Sequence, residues 1–276
     1  MNNLADSIGQ CTSLLRFNLR NHKFGPQGAM HLAAVLGRCP VTHIILDGNA
    51  FGVEGAGVLR VVPRKLQSLL HLDHADNALG VEGARSIAGC LGRQCTWLVG
   101  LKLRYNQFWD EGVRRLALGQ WLIKSLSYLG LSAYAIGVKG AEVLGGVLEQ
   151  LNALSHLGLY GNKLRYKGVQ RLALGQCKSL SFLDIAACDI GPVGAGVLAI
   201  DLGQCTMLSQ LRVSFNAILC EGAGPMAGMM EQYPQFSCLE LGYNGIQAQG
   251  AGRIAAVQGR CASLSHIDLR HNSIGD

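Results

Sequence analysis

No run of 18 uninterrupted apolar residues occurs in the 276 residues, although 49% of them are hydrophobic types, so no segment reads as a membrane-spanning helix. The opening Met1-Asn-Asn-Leu-Ala-Asp-Ser7 has no basic stretch leading into an apolar one, and no signal peptide is expected. Neither an Asn-x-Ser/Thr acceptor nor a Cys-x-x-Cys pair is present, despite ten cysteines; zinc gains no support from cysteine spacing. Acidic tracts are missing too. Aromatic residues are only 6% of the chain, charged residues 15%, and a net charge of +6 argues little for nucleic acid. The chain is therefore expected to be cytoplasmic, with no cofactor, no nucleic-acid partner and no membrane span.

What the chain has in abundance is repetition. The phrase L-x-x-L-x-L-x-x-N recurs ten times with substitutions, opening at Leu14, Val41, Leu69, Leu98, Leu126, Leu154, Leu180, Leu208, Phe236 and Leu264. The ninth position is Asn49, Asn77, Asn106, Asn162, Asn216, Asn244 and Asn272 in seven units, and His22, Tyr134 and Cys188 in the others. Each phrase is followed by an apolar residue and, in the template form, a pair of glycines, as in Phe51-Gly52…Gly55 and Ile190-Gly191…Gly194, and then by a helical stretch. Spacing of 26 to 29 residues with this phrase is that of a leucine-rich repeat solenoid. The full helix in each unit resembles the ribonuclease-inhibitor-like class of these repeats, found in immune sensors and in the Ran GTPase-activating protein. The resemblance implies an α/β horseshoe with a parallel sheet on the concave face and helices on the convex face. It implies a fold and no particular activity.

Within each unit the strand is expected over positions three to seven, with the leucines at four and six turned inward. The asparagine should be buried and bonded to turn backbone. The second glycine is kept in all nine units that reach it, whereas Trp109, Arg165, Leu219 and Gln247 replace the first, which therefore reads as the less demanding. With 37 glycines spread evenly and no linker, residues 1–276 read as a single leucine-rich repeat domain of about ten repeats, partial at both ends. The start, Leu4 to Cys11, matches the last half of a helix, and the end at Ile274-Gly-Asp276 leaves Leu264, Ile267 and Leu269 without a covering helix. The expectation is a longer repeat array or an end packed on another subunit.

Cys11, Cys95, Cys177, Cys205 and Cys261 fall three residues before an opening leucine, Cys39 falls two before Val41, and Trp121 takes the slot once. A cysteine repeated at one slot is expected to be a buried, reduced thiol. The third unit departs from the template at Pro63, which interrupts its preceding helix, and at His74, which stands where an inward leucine belongs.

Positions three, five, seven and eight should face the open side of the sheet. Tyr105, Tyr128, Tyr160 and Phe182 fall there in consecutive units beside Gly130, Gly158, Ser132 and Ala186, with Lys102 and Arg104 on one side and Asp184 on the other. Rings beside small residues are the composition of a protein-binding hot spot, and these seven residues are the expected contact site. Arg114, Arg115, Lys139, Lys163, Arg165, Lys167 and Arg171 concentrate on turns and outer helices and read as a solvated basic stripe. His43, His71, Asp47 and Asp73 fall on adjacent strands but have no dedicated loop, so no metal site is expected there. Gly194-Ala-Gly196 and Gly222-Ala-Gly224 lack the lysine of a phosphate loop, and the serines at position two (Ser127, Ser155, Ser181, Ser209, Ser237, Ser265) recur in phase as template residues, not nucleophiles.

No catalytic constellation emerges. The reading is a non-enzymatic interaction module or assembly scaffold whose partner is a protein. The alternative, a GTPase regulator of the Ran GTPase-activating type, is weakened by the missing acidic tail.

Overall fold

The structure, a computed structural model, describes residues 11, 13–36, 39–57, 68–118, 123–133 and 135–275. Pro63, Trp121, Tyr134 and the helical reading of residues 4–10 lie outside them. The chain groups into two compact units, Met1–Tyr134 and Ala135–Asp276. In the first, β1 (Arg16–Asn18), β2 (His43–Ile45), β3 (His71–Asp73), β4 (Gly100–Lys102) and β5 (Tyr128–Gly130) alternate with α1 (Gly25–Leu36), α2 (Gly52–Ala56), α3 (Gly80–Gln94) and α4 (Trp109–Leu118). The second contains α5 (Val138–Leu148), β6 (His156–Gly158), α6 (Arg165–Leu172), β7 (Phe182–Asp184), α7 (Gly191–Leu202), β8 (Gln210–Arg212), α8 (Leu219–Met230), β9 (Cys238–Glu240), α9 (Gln247–Gln258) and β10 (His266–Asp268). Within each unit successive strands pair in parallel and in repeat register, for example Arg16 with His43 and Cys238 with His266. Leu101, Leu103, Leu129 and Leu131 at positions four and six are fully buried. Among the described residues no helix is long and apolar enough to cross a membrane.

The strands span positions three to five, shorter than the three to seven expected. Position eight has left-handed backbone in all ten units, from Asn21 (φ 60°) to His271 (φ 55°), which sets the outer limit of the extended stretch. Extended geometry cannot continue into such a residue. Hydrogen bonding between repeats nevertheless persists: Leu19 N–H donates to the Ile45 carbonyl at 2.9 Å and Asn21 N–H to the Asp47 carbonyl at 2.8 Å.

The ninth-position asparagines join one repeat to the next. Asn216 Oδ1 accepts from the N–H groups of Cys188 (2.8 Å) and Ile190 (3.3 Å), while its Nδ2 donates to the Ile185 and Val213 carbonyls, both at 2.9 Å. Asn77, Asn106, Asn244 and Asn272 repeat this pattern, each satisfying backbone groups of the preceding unit. Cys188 is a weaker substitute, its thiol reaching the Leu159 carbonyl at 3.2 Å. The position-two serines form a second seam, with the Ser181, Ser209 and Ser237 hydroxyls each donating to the preceding repeat's position-two carbonyl at 3.1 Å.

The two glycines of the template serve different needs, and the first is not the undemanding one. Gly191 has φ +67° in open space, so conformation alone selects it; Trp109, Arg165, Leu219 and Gln247 hold the same left-handed backbone at φ 49–59°. They sit in a region that costs an ordinary residue roughly 1–2 kcal/mol. The second glycine is sterically required. A Cβ on Gly222 would fall 2.5 Å from Ile218 Cγ2 and 2.9 Å from Ala195 Cβ on α7, so adjacent helices approach only because it is missing.

The repeated cysteine slot is buried at Cys95, Cys177, Cys205 and Cys261, as is Cys39, but Cys11 is exposed, contrary to the expectation for the slot. Burial pushes the Cys205 thiol up to about 12. His74 is fully buried, as a hydrogen-bonded core residue: Asn77 Nδ2 donates to its Nδ1 at 3.0 Å, which leaves the proton on Nε2, and Phe51 meets its ring edge-on. Burial holds its pKa down at about 4.

Candidate functional site

In the first unit the open strand face carries His43, His71, Asp73, Lys102 and Tyr128, which line a cleft of about 360 Å³. Pairing of β2 with β3 puts His43 beside His71, and their rings stack with centroids 4.5 Å apart. Burial lowers both imidazole pKa values; the neighbouring His71 adds to this at His43, and Lys102 at His71. The Lys102 ammonium lies 5.3 Å from the Tyr128 ring centre, a cation–π distance. Asp47 is nearly buried beneath Arg20 (2.9 Å) and Arg104 (3.4 Å), and Arg20 also reaches Asp73 at 3.8 Å. Both carboxylates thus sit in arginine pairs.

This geometry adds two details to the sequence reading. Position seven is only partly accessible: Arg20, Arg104, Tyr160 and Arg270 are exposed there, whereas Asp47, Ala75, Ala186, Ser214 and Gly242 are buried, Asp47 beneath the arginines that pair with it. Beside the rings, Gly100 and Gly130 do not open empty space. A methyl on Gly100 would strike the His71 imidazole, and one on Gly130 would lie 3.3 Å from Tyr128 Cε1; the chain's own rings already occupy those spaces.

The seven expected contact residues divide between the units. Tyr105, Tyr128, Lys102 and Arg104 belong to the first; Tyr105 is 48% exposed and Tyr128 half-buried. Tyr160, Phe182 and Asp184 belong to the second. There, Phe182 stacks on His156 at 5.7 Å, and the Arg212 guanidinium covers it at 5.2 Å. Asp184 accepts from the Ala186 N–H at 3.2 Å, and burial raises its pKa. Tyr160 is 39% exposed.

A further aromatic group was not singled out by sequence. Phe215, Tyr243 and His271, the eighth residues of three successive repeats, form a continuous stack with both centroid separations 4.2 Å. All three are exposed and all three have φ between 55° and 60°. Their 28-residue spacing was the available signal; the left-handed backbone that turns the rings onto one line was not visible in it.

The basic stripe is partly neutralised locally. Glu111 binds Arg114 at 2.6 Å and Arg115 at 2.7 Å, and the Arg114 contact leads in holding its carboxyl at about 2. Arg171 pairs with Glu142 at 3.2 Å. These exposed pairs fit a solvated helix face. Among the described residues, the side chains grouped closely enough to share a cation are Cys238, Glu240 and His266, not the histidine–aspartate set of the first unit.

Comparison with known proteins agrees with the repeat pattern. Residues 10–33, 65–88, 94–117, 176–199 and 260–276 match the family model described as a leucine-rich repeat. A ribonuclease inhibitor from Sus scrofa is 29% identical over 192 residues, covering 67% of this chain and 42% of the inhibitor. The chain thus spans less than half of that relative's length. Among solved structures, an internalin from Listeria monocytogenes aligns with 91% of this chain and 77% of its own, at 15% identity and TM-score 0.46. The C-terminal domain of a tropomodulin from Caenorhabditis elegans aligns with 54% of this chain and 92% of its own, at 17% identity and TM-score 0.43.

Proposed function

We propose that the chain, whose repeats are those of a leucine-rich-repeat protein of the ribonuclease-inhibitor-like class, is a non-enzymatic interaction module or scaffold. It holds a protein partner on the open face of its strands. The observation that carries this reading is the exposed stack of Phe215, Tyr243 and His271. Left-handed backbone favours glycine or asparagine, and keeping aromatic rings there costs stability that packing in the core does not return. Rings held rigidly in a line, with Arg212 and Arg270 among the flanking charges, offer a preformed apolar anchor with a polar rim.

In the second unit Tyr160, Phe182 and Asp184 extend this surface; in the first, Tyr105, Tyr128, Lys102 and Arg104 provide contacts of the same kind. The relative named as a ribonuclease inhibitor is consistent with a protein ligand. A reducing, cytoplasmic setting is part of the same reading, supported by the buried thiols at Cys177, Cys205 and Cys261.

The test is a pull-down from the native source, identification of the bound protein, and affinity measurements on Tyr128→Ala, Tyr160→Ala and Tyr243→Ala. A hot-spot ring should cost about 2 kcal/mol or more. Unchanged affinity in all three, with circular dichroism intact, would move the contact to the helix face and refute the strand-face site.

A further inference from the structure

Cys238 is a cysteine the repeat does not explain. The recurrent slot lies three residues before the opening leucine, whereas Cys238 holds position three of its unit, on the open strand face. Parallel pairing of β9 with β10 sets it directly beside His266, and Glu240, two residues further along β9, projects from the same face. One ligand atom from each of the three lies within 4.8 Å of the others.

We propose that Cys238, Glu240 and His266 form a binding site for a divalent transition-metal cation of the zinc class. A thiolate, an imidazole and a carboxylate together favour such an ion over magnesium or calcium, which take oxygen ligands. At metal–ligand lengths of about 2.0–2.3 Å, tetrahedral ligand atoms stand about 3.5 Å apart, so side-chain rotations of about an ångström complete the site. The burial permits this, because His266 is exposed and Cys238 and Glu240 are half-buried.

The surroundings provide the supporting contacts such a site needs. Arg212 Nε donates to Glu240 Oε1 at 2.8 Å, which orients the carboxylate and directs the other oxygen to the metal. Arg212 is itself held over the Phe182 ring. The adjacent Asp268 is engaged by Arg270, whose Nε lies 3.0 Å from Oδ2. Without metal, burial first and the Glu240 charge second keep the Cys238 thiol protonated. On coordination the S–H bond breaks, its electron pair goes to the metal and the proton to solvent, with no change of oxidation state. Three protein ligands leave a fourth position toward the open face, for water or for a ligand atom brought by a partner. The site stands independently of the protein-binding reading.

Titration of the full, tag-free chain with Co²⁺ under reducing conditions tests it. One equivalent should produce a thiolate-to-cobalt charge-transfer band and ligand-field bands of tetrahedral intensity, and Zn²⁺ should abolish both. Cys238→Ser should remove the charge-transfer band, and His266→Ala should weaken Co²⁺ binding about tenfold or more. Cys220→Ser, which alters another partly exposed thiol, should leave both unchanged. No band in the parent chain, a band that survives Cys238→Ser, or one lost in Cys220→Ser would each overturn the proposal. Because the three side chains are not core residues, circular dichroism is expected to be unaltered in every variant.

Discussion

The ring of Phe215 lies on that of Tyr243, centroids 4.2 Å apart and planes 12° apart, and both side chains hang from left-handed backbone. Two conformationally unfavourable residues 28 positions apart therefore serve one exposed feature. Asparagine tolerates this backbone far better than tyrosine. Tyr243→Asn should hold stability within about 1 kcal/mol, since relief of backbone strain offsets the lost stacking of about 0.5–1.5 kcal/mol. Affinity for the partner should nevertheless fall. Urea unfolding and a binding isotherm on the same variant separate the two; a parallel loss of stability and affinity would make the stack structural.

Gly191 and Gly222 should both reject alanine, for different reasons. At Gly191 the obstacle is φ +67°, so Gly191→Ala should cost about 1–2 kcal/mol and Gly191→Asn much less. At Gly222 the obstacle is the neighbouring helix, so alanine should cost about 1–3 kcal/mol and asparagine more. Gly228→Ala on the same helix, with open space around it, should stabilise by about 0.5–1 kcal/mol. Denaturant midpoints for the five variants give the comparison.

His74 should make stability depend on pH. Its folded pKa of about 4 lies below the ordinary 6.5, so between these values the unfolded chain binds a proton that the folded chain refuses. The contribution is fully present above pH 6.5 and is lost as pH falls toward 4, by up to about 3 kcal/mol. His74→Leu restores the repeat's own residue and should flatten the curve across that window. Unfolding free energies at several pH values, compared as a difference between variant and parent, isolate this histidine from His43 and His71.

The asparagine seam has a strong and a weak link. Asn216→Ala would strand the Cys188 and Ile190 N–H groups and the Ile185 carbonyl in the interior, while the Val213 carbonyl keeps its bond from Asn244 Nδ2, at a cost of about 3 kcal/mol or more. Cys188→Asn should instead stabilise by about 0.5–1.5 kcal/mol, because an amide can donate where the thiol now reaches 3.2 Å to the Leu159 carbonyl. Thermal unfolding of both variants checks the pair; a destabilised Cys188→Asn would show that the sulfur's volume matters more than its bonding.

The repeat phase, the strand starts, the inward leucines, the buried asparagines and the buried His74 were all legible in sequence. Each depends on periodicity, which a linear chain displays directly: position four is apolar in every unit because every unit faces the same core. What lies across repeats was not legible. Asp47 is buried because Arg20 and Arg104 close over it from other strands, and position seven changes from exposed to buried with the size of such neighbours. Trp109 and Leu219 looked like relaxed replacements for glycine, yet the left-handed backbone is retained beneath them, because the turn geometry is set by the packed repeats on either side. The grouping of Cys238 and Glu240 with His266, and the stack through Tyr243, likewise depend on the lateral register of parallel strands. Local pattern decides which residues point outward; only the packed sheet decides which of them meet.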